Sequence, residues 1–289
     1  MDSAAVRETV SKIQDILYGI LCDIDDFCKK YHIRYYLSGG TCLGAVRHHG
    51  FIPWDDDADI MLPRDDYMRF LPLFAKEFKG KYYVGSLFTD QTWKIQHAMI
   101  CDLNTELVSV DMRMAPVGVH VDVFPIDGLP EGKCRQFYYY NKLRILSGLR
   151  RANMRKAFLP QEKNKRIKSI AAIFKRFINP RKMAYHMDRY AAAFDFNHSK
   201  YVAASLPIQY GSRETILKPY MDRELYTLFV DRKFPIPAGY KKYLTNLYDN
   251  YMVIPEDASK KGYTHLNKWE IRFLDRENEH GDGRFDVNL

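Results

Sequence analysis

Several common catalytic signatures are missing from this sequence of 289 residues. The glycines at 39–44 are not followed by GK[ST], which excludes a P-loop, and GGTCLG lacks the GxGxxG spacing of a dinucleotide site. No GxSxG or HExxH string occurs, so the serine-hydrolase elbow and the zinc-protease helix are absent. The five cysteines are an odd number without a CxxC pair, which argues against a zinc site and favours buried, reduced thiols.

Long apolar runs and a secretory leader are also lacking. The best short apolar run, Ile170–Phe174, is far below the roughly 20 residues needed to span a bilayer. The first residues, MDSAAVRETV, hold no basic segment followed by an apolar one, so we expect no secretory signal. We therefore expect a cytoplasmic protein, or one attached peripherally at the cytoplasmic face of the membrane. The length and the 46% apolar content predict one large domain or two ordinary ones.

Acidic residues are scarce in one part of the chain. From Asn141 to Met183 there are fourteen basic side chains and a single acid, Glu162. This basic segment carries +13, and because the whole chain carries +8, the remainder carries −5. Two interpretations stay open. The segment is either a solvated helical face or a surface that docks on an anionic membrane, where each basic residue gains about 1 kcal/mol. The amphipathic string SIAAIFKRFI suits the membrane interpretation.

Periodic patterns predict a mixture of helices and strands. Apolar residues three or four positions apart predict helix over Val6–Tyr31 and, after Pro63, over Tyr67–Phe78. Helix is also predicted from Pro130 through Ala193 and over Tyr240–Tyr251. The predicted strands are Ile33–Leu37, Asp57–Met61, Tyr82–Leu87, Ile95–Cys101, Val117–Phe124, Tyr201–Ser205 and Leu225–Val230. Pro125 and the Asp127-Gly128 pair are expected to end the strand at Phe124.

The string GGTCLGAVRHHGFIPWDDDADI, residues 39–60, combines a double glycine with four nearby aspartates. The glycines end a predicted strand, and Thr41 is expected to begin a helix whose unpaired N–H groups would face an anion. Asp57 and Asp59 stand two apart on a predicted strand, so they point to one face, about 6.5 to 7 Å apart at the backbone. Carboxylates so close repel one another unless a cation lies between them. One or two Mg²⁺ ions suit such oxygen ligands.

Asp122 is the third candidate acid, because it interrupts the valines of the predicted strand VGVHVDVF. Pairing of this strand with that of Asp57 and Asp59 would bring all three acids to the same metals, an arrangement that supports phosphoryl transfer. A simpler interpretation stays open for the neighbouring acids. Asp55 and Asp56 are also typical turn or cap residues, and the DDD string is also compatible with a solvated loop.

The string YYLSGGTCLGAVRHHGFIPWDDDADIMLPRDDY resembles the LicD family, which belongs to the nucleotidyltransferase-fold superfamily and includes the fukutin-related proteins. GVHVDVFPIDGLP resembles the family's second block, and FPIPAGYKKYLTNLYDNYMVIPEDASKKGYTH its C-terminal block. The resemblance implies an α+β fold, a nucleotidyltransferase-like mixed β-sheet core with flanking helices, here with a basic helical insertion. We expect residues 1–130 to form the catalytic core, 131–199 the basic helical segment, 200–274 the part that completes the same fold, and 275–289 a flexible tail.

The resemblance also implies the chemistry. Asp57, Asp59 and Asp122 match the family's metal-binding and catalytic acids, with Asp122 activating or orienting the acceptor hydroxyl and Mg²⁺ (or Mn²⁺) as the cofactor. The expected nucleotide- and phosphate-binding residues are Ser38, Gly39, Gly40, Thr41, Arg47, His48 and Arg64. Family members move phosphocholine from CDP-choline, or another CDP-linked alcohol phosphate such as ribitol, glycerol or ethanolamine phosphate, onto teichoic acid, lipopolysaccharide or capsule.

The leading hypothesis is therefore a Mg²⁺-dependent phosphocholine transferase with CDP-choline as donor and a glycan or lipid-linked glycan as acceptor. A nucleic-acid-binding, polymerase-like protein is one alternative, but the basic segment has no aromatics spaced for base stacking, so we expect no nucleic-acid partner. A catalytically inactive glycan-binding protein is another, and the complete set of acids argues against it. Trp54 could stack on cytosine, although with Phe51 and Pro53 it is also suited to support its own loop.

Overall fold

The computed structural model describes residues 3–156, 178–206, 208–254, 256 and 266–274. The helices are α1 (Ser3–Tyr31), α2 (Gly39–His48), α3 (Arg64–Glu77), α4 (Lys133–Met154), α5 (Pro180–Ala191) and α6 (Tyr240–Tyr248). The strands are β1 (Tyr36–Leu37), β2 (Ala58–Pro63), β3 (Tyr82–Gly85), β4 (Ala98–Asp102), β5 (Thr105–Ser109), β6 (His120–Leu129), β7 (Tyr201–Ala203), β8 (Ile216–Leu217), β9 (Glu224–Phe229), β10 (Arg232–Pro237) and β11 (Trp269–Phe273). This mixture of helix and sheet confirms the predicted α+β class.

A mixed sheet with the strand order β1-β2-β6-β4-β3 forms the centre of the fold. β2 and β6 run parallel, in a register that places Asp59 beside Asp122, whereas β1, β4 and β3 pair antiparallel with their neighbours. Beyond its pairing with β4, β6 continues and pairs antiparallel with β7, which in turn pairs with β8. β9 and β10 form a two-stranded sheet, as do β5 and β11.

Helices α1 and α3 cover the central sheet. α1 packs on β4 and β6, and α3 packs on β2, β3 and β6. The two helices meet through aromatic rings, since Phe27 of α1 lies 5.6 Å from Phe70 and 5.0 Å from Phe74 of α3, measured between ring centroids. All three rings are almost completely buried, and burial of each contributes roughly 1.5 to 3 kcal/mol. This packing holds β2 and β6, which carry the candidate acids, in the interior of the sheet.

A second apolar cluster fixes α4 and α5 beside the end of β6. Pro180 occupies the first turn of α5, and the side chain of Asn179 caps the helix by accepting a hydrogen bond from the Lys182 N–H at 3.0 Å. The cluster consists of Leu129, Tyr139, Tyr140, Leu143, Met187, Ala191, Ala203 and Leu206. It packs the first half of α4 against α5 and β7. None of the described helices is long and apolar enough to cross a membrane.

The structure corrects two predictions around the candidate acids. α2 begins at Gly39 rather than Thr41, so the two glycines form its first turn. β6 does not end at Phe124 but continues through Pro125, which pairs with Leu62 of β2, to Leu129. Asp127 is therefore a buried strand residue and not a turn residue, and it accepts hydrogen bonds from Arg64.

Other element predictions also need correction. The helix predicted from Pro130 through Ala193 is not continuous, because residues 155–156 and 178–179 are extended or irregular between α4 and α5. Strands β5, β8, β10 and β11 were not predicted. The middle of the basic segment, 157–177, and the predicted tail, 275–289, lie outside the described residues, so most of SIAAIFKRFI does too. The division of the chain into four segments stays a prediction.

Candidate active site

Carboxylates converge where β2 begins. Carboxylate oxygens of Asp55, Asp56 and Asp57 all lie within 4.8 Å of one another. Asp59 follows on β2, and the parallel register sets it beside Asp122 of β6. The structure thus brings together the three predicted acids, Asp57, Asp59 and Asp122, and adds Asp55, which the sequence also allowed as a simple turn residue.

Burial and the charges of neighbouring acids raise the pKa of two of these carboxyls, those of Asp55 and Asp59. Burial raises the pKa of the Asp59 carboxyl well above its usual value, and the negative charges of Asp57 and Asp122 raise it further. Burial has the same effect on the pKa of Asp55, to which the charge of Asp57 and a hydrogen bond with it add. Buried like charges persist only where protons or a cation neutralise them. The closely spaced oxygen donors therefore fit a hard divalent cation such as Mg²⁺.

The N-terminus of α2 lies directly against the acids. The Ser38 N–H donates to the Asp59 carbonyl at 2.9 Å, and the Asp59 N–H donates to Thr41 Oγ1 at 2.8 Å. A Cβ added at Gly39 would lie 3.0 Å from Asp59 Oδ2, and one at Gly40 would lie 2.9 Å from Asp55 Oδ2. Gly39 also has a φ of +47°, which favours glycine. The positive end of the helix dipole is thus placed beside the carboxylates, where a phosphate and its cation would meet.

Tyrosines from the C-terminal part of the chain complete this side of the site. The Gly39 N–H donates to the Tyr243 hydroxyl at 3.2 Å, and the same hydroxyl lies 3.1 Å from Ser38 Oγ. The hydroxyls of Tyr210 and Tyr248 are 2.9 Å apart. Burial raises the pKa of Tyr210 to about 12, and the nearby charge of Asp59 contributes. In this structure the Ser38 hydroxyl and the Gly39 N–H therefore anchor α6 to α2.

Two histidines lie close to the carboxylate of Asp122. Nε2 of His97 lies 3.5 Å from Asp122 Oδ1, and Nε2 of His120 lies 3.7 Å from the same atom. Nδ1 of His120 is 2.9 Å from the carbonyl oxygen of Gly118, to which it donates. Asp122 thus lies between two imidazoles whose Nε2 atoms are 3.5 and 3.7 Å from its Oδ1. The sequence offered a signal for His120, which is two residues from Asp122 on the same strand face, but none for His97.

Arg47 and His48 lie at the C-terminal end of α2. Nη1 of Arg47 donates to the carbonyl of Tyr251 at 2.9 Å, and desolvation lowers the pKa of Arg47 although the nearby charge of Asp55 opposes it. Burial also lowers the pKa of His48, and the charge of Arg47 adds to the effect. The ring of His48 meets that of Trp54 edge-on at 6.2 Å, and Trp54 packs against the core. This placement suits Trp54 to supporting its loop.

Arg64 has contacts of a different kind. Its guanidinium donates to both carboxylate oxygens of Asp127, at 2.7 and 2.6 Å, and to Asp188 at 2.7 Å. The three side chains are buried or nearly so. They tie the start of α3 to β6 and α5. These contacts use the N–H groups on two edges of the guanidinium for structural ion pairs. They therefore give no support to the phosphate-binding role predicted for Arg64, which stays a prediction.

One further acid near the site has no signature in the sequence. Glu214 lies in a short 3₁₀ helix, Gly211–Glu214, and is 4% exposed. Burial raises its pKa to about 8, and its charge is among those that raise the pKa of Asp59. No periodicity or motif marks this residue, because only the tertiary packing of the 3₁₀ helix against α4 and α6 brings it here.

A cavity of about 260 Å³ opens beside the acids. Asp57 and Asp122 line one end of it together with His97 and His120. Leu266 and Trp269 form another wall, which is fastened to the acid loop because the Leu266 N–H donates to Asp56 Oδ2 at 2.7 Å. A small molecule in this cavity would lie next to the carboxylates without occupying the N-terminus of α2.

Comparison with known proteins shows which families and proteins this chain is similar to. Residues 32–146 match the LicD/FKTN/FKRP nucleotidyltransferase domain. The chain is 29% identical over 257 residues to the lipopolysaccharide cholinephosphotransferase LicD of Haemophilus influenzae. The match covers 88% of this chain and 95% of that protein. Shorter matches join it to an uncharacterised protein of Rickettsia typhi, 44% identical over 26% of each chain, and to human ribitol 5-phosphate transferase FKRP, 50% identical over 34 residues, 12% of this chain and 7% of that protein.

Proposed function

We propose that this chain transfers an alcohol phosphate from a nucleotide-linked donor to an acceptor hydroxyl, because its residues 32–146 match the LicD/FKTN/FKRP nucleotidyltransferase domain. The preferred donor is CDP-choline, and the preferred acceptor is a hydroxyl of a cell-surface glycan or of its lipid-linked precursor. One observation carries the proposal. The carboxylates of Asp55, Asp57, Asp59 and Asp122 converge beside the N-terminus of α2, which is the charge arrangement that phosphoryl transfer needs.

The acids divide into two roles. Asp55, Asp57 and Asp59 would hold Mg²⁺ or Mn²⁺, and Asp122 lies close enough to share in this. When bound, the metal supplies neutralisation of the phosphate charges. The residues of the chain do the rest, since the N-terminus of α2 would orient the donor diphosphate.

Asp122 is the proposed general base. The acceptor oxygen attacks the phosphorus atom that bears the alcohol, the bond from this phosphorus to the bridging oxygen breaks, and CMP leaves with the electron pair. The hydroxyl proton passes to Asp122, where His97 and His120 lie within 3.5 and 3.7 Å and can take it onward. Arg47 lies in the last turn of α2 and interacts electrostatically with Asp55. Its guanidinium would stabilise the negative charge on the departing CMP.

A different alcohol is the second candidate for the transferred group. The match to a protein named ribitol 5-phosphate transferase extends over 34 residues, and it favours CDP-ribitol or another CDP-polyol as the alternative donor. The acid cluster is equally compatible with either donor, because the reacting diphosphate is the same.

The decisive experiment measures CMP release with Mg²⁺ from CDP-choline, CDP-ribitol, CDP-glycerol and CDP-ethanolamine, with a cell-envelope extract as acceptor. Wild type is compared with Asp59→Ala and with Glu131→Ala, which changes an exposed acid before α4. We expect one donor to be turned over, with activity abolished by Asp59→Ala and by chelation and unaffected by Glu131→Ala. No turnover of any donor, from protein that binds Mg²⁺, would refute the CDP-alcohol proposal; turnover that survives Asp59→Ala would refute the assigned site.

Association with an anionic membrane is also part of the proposal, since it would bring the enzyme to a lipid-linked acceptor. α4 exposes Phe137, Tyr138 and Ile145, each more than 60% accessible, on a helix that also exposes Lys142 and Arg144. Large exposed apolar side chains among basic ones are typical of a surface that inserts its rings at the headgroup level and binds anionic lipid through its charges.

A further inference from the structure

Arg150 is a buried cation at the wall of the cavity beside the acids. It lies near the C-terminal end of α4 and is 6% exposed, and it lines the cavity together with Asp57 and Asp122. Nη1 donates to the carbonyl of Lys94 at 3.1 Å and contacts Met154 Sδ at 3.2 Å. Its Nε has no hydrogen-bond partner, and among the described residues no carboxylate forms an ion pair with it.

Arg64, the other largely buried arginine discussed above, has a different environment. It is somewhat more exposed than Arg150 but meets two carboxylates, Asp127 and Asp188, within 2.7 Å. An uncompensated buried charge destabilises the fold, and burial accordingly lowers the pKa of Arg150 to about 10, with the charge of Arg151 adding to the effect. A guanidinium that stays charged at neutral pH and forms no ion pair with a carboxylate of the described residues is poorly explained by stability. It is well explained by an anion that arrives with a ligand.

We propose that Arg150 binds an anionic group, a phosphate or a carboxylate, of a reactant that enters the cavity. The planar guanidinium can bind either group through two parallel hydrogen bonds. Arg151 and Lys268 line the same cavity and add positive charge to the anion site. The cavity wall therefore carries both the carboxylates of the proposed reaction centre and the cations that would bind the anionic part of the reactant.

The acceptor is the reactant that this geometry favours. Gly39 and Gly40, where the donor diphosphate is expected, are not part of the cavity wall, whereas Asp122, the proposed base for the acceptor hydroxyl, is. The positive charge of Arg150 would also repel the quaternary ammonium of choline. This assignment rests on the proposed function, but the presence of an anion site at Arg150 does not.

The test measures binding and does not require turnover. Wild type, Arg150→Met and Arg135→Met are titrated calorimetrically with glucose 6-phosphate, glycerol 3-phosphate and glucuronate, and with uncharged glucose and glycerol, all in EDTA. Arg135→Met is the matched control, because it removes the same charge from an exposed position of α4 that does not line the cavity. We expect wild type to bind at least one anion and neither neutral compound. Arg150→Met should weaken that binding at least tenfold, and Arg135→Met should leave it unchanged.

A second titration distinguishes an anion that belongs to the acceptor from one that belongs to the donor. The affinity for CDP-choline is measured for the same proteins in the presence of Mg²⁺. A tenfold loss in Arg150→Met for the sugar phosphates or glucuronate alone assigns the anion to the acceptor, whereas a loss for CDP-choline alone assigns it to the donor. Both results support the anion site, whether or not CMP release is ever observed. Equal affinities in wild type and Arg150→Met for every ligand would overturn it.

Thermal unfolding tests whether Arg150 has a purely structural role. Loss of an unpaired buried charge should leave the melting temperature of Arg150→Met equal to or above that of wild type. Arg150→Lys, which keeps the charge but not the planar fork, should fold and show an intermediate loss of anion affinity. Marked destabilisation of Arg150→Met together with wild-type anion affinity of Arg150→Lys would overturn the proposal.

Discussion

Replacing Asp57 by Asn should stabilise the metal-free protein while removing its response to Mg²⁺. The carboxylate of Asp57 lies within 4.8 Å of those of Asp55 and Asp56, and its charge raises the pKa of both Asp55 and Asp59. Asn has the same shape and can still hydrogen-bond to Asp55, but it carries no charge. The substitution therefore relieves repulsion without creating a cavity.

The size of the effect follows from the geometry. At an effective dielectric constant of 20, two unit charges 4.8 Å apart repel by about 3.5 kcal/mol. Shared protons remove part of this repulsion, so we expect a gain in unfolding free energy of about 1 to 2 kcal/mol at pH 8. For a chain of this size each 1 kcal/mol raises the melting temperature by about 2 to 4 °C. Mg²⁺ at a hundred times its dissociation constant should stabilise wild type by about 2.7 kcal/mol.

The same charges determine how the stability of the metal-free protein depends on pH. The pKa of Asp55 and that of Asp59 are raised in the fold, so both carboxyls keep protons that the unfolded chain loses. Their contribution is therefore present below the ordinary aspartate pKa and is lost as the pH rises toward the raised values. Metal-free wild type should become less stable between pH 5 and pH 8, and Asp57→Asn should flatten this slope.

The assay is calorimetric unfolding at pH 5, 6.5 and 8, in EDTA and in 10 mM MgCl₂, with Glu131→Gln as a control for loss of an exposed acid. Wild type and Glu131→Gln should respond alike. The reasoning fails if Asp57→Asn is less stable than wild type in EDTA at pH 8, or if Mg²⁺ stabilises the variant as much as wild type.

Three further predictions concern residues around the site. Burial raises the pKa of Glu214 from 4.5 to about 8, so ionisation of this carboxyl destabilises the fold as the pH rises through that range. In urea unfolding in EDTA, Glu214→Gln should therefore remove a slope on the order of 1 kcal/mol per pH unit from the free energy of unfolding. An unchanged slope would contradict this. Arg64→Met leaves buried Asp127 and Asp188 unpaired and should cost about 3 to 5 kcal/mol, while CDP-choline affinity measured below the melting transition stays within twofold; a large loss of affinity would restore its phosphate role. Replacing Lys165, Arg166, Lys168, Lys175 and Arg176 by Gln should abolish sedimentation with anionic liposomes, and unchanged sedimentation would exclude membrane docking by the basic segment.

The elements that the sequence predicts well are those with uniform periodicity. α1 is recognisable because its buried residues recur every three or four positions, and the parallel strands β2 and β6 because they are short apolar runs with a charged interruption. β10 was missed because Pro235 and Pro237 suggest a loop, although a two-stranded sheet tolerates proline where no partner needs the N–H. The continuation of β6 was missed for a related reason, since Pro125 ends strands more often than it extends them.

The candidate site divides in the same way. Asp57, Asp59 and Asp122 could be predicted because spacing on a strand fixes the face to which a side chain points, and the register of two parallel strands then brings them together. The ion pairs of Arg64 could not be predicted, because its partners, Asp127 and Asp188, are 63 and 124 residues away. Glu214 and Arg150 could not be predicted at all, because their importance lies in burial without an ion pair to any of the described residues, which is a property of the folded chain alone.

The distribution of these residues along the chain suggests that reaction chemistry and acceptor choice are carried by different segments. The acids, the glycines of α2 and both histidines lie within the matched domain, residues 32–146. Arg150, Arg151, Lys268 and Trp269, which also line the cavity, lie outside this matched domain. Exchange of Lys268 or Arg150 should therefore alter which acceptor is used while the rate of donor hydrolysis in the absence of acceptor stays the same. If both fell together, the cavity and the acid cluster would have to be treated as one binding site for the donor.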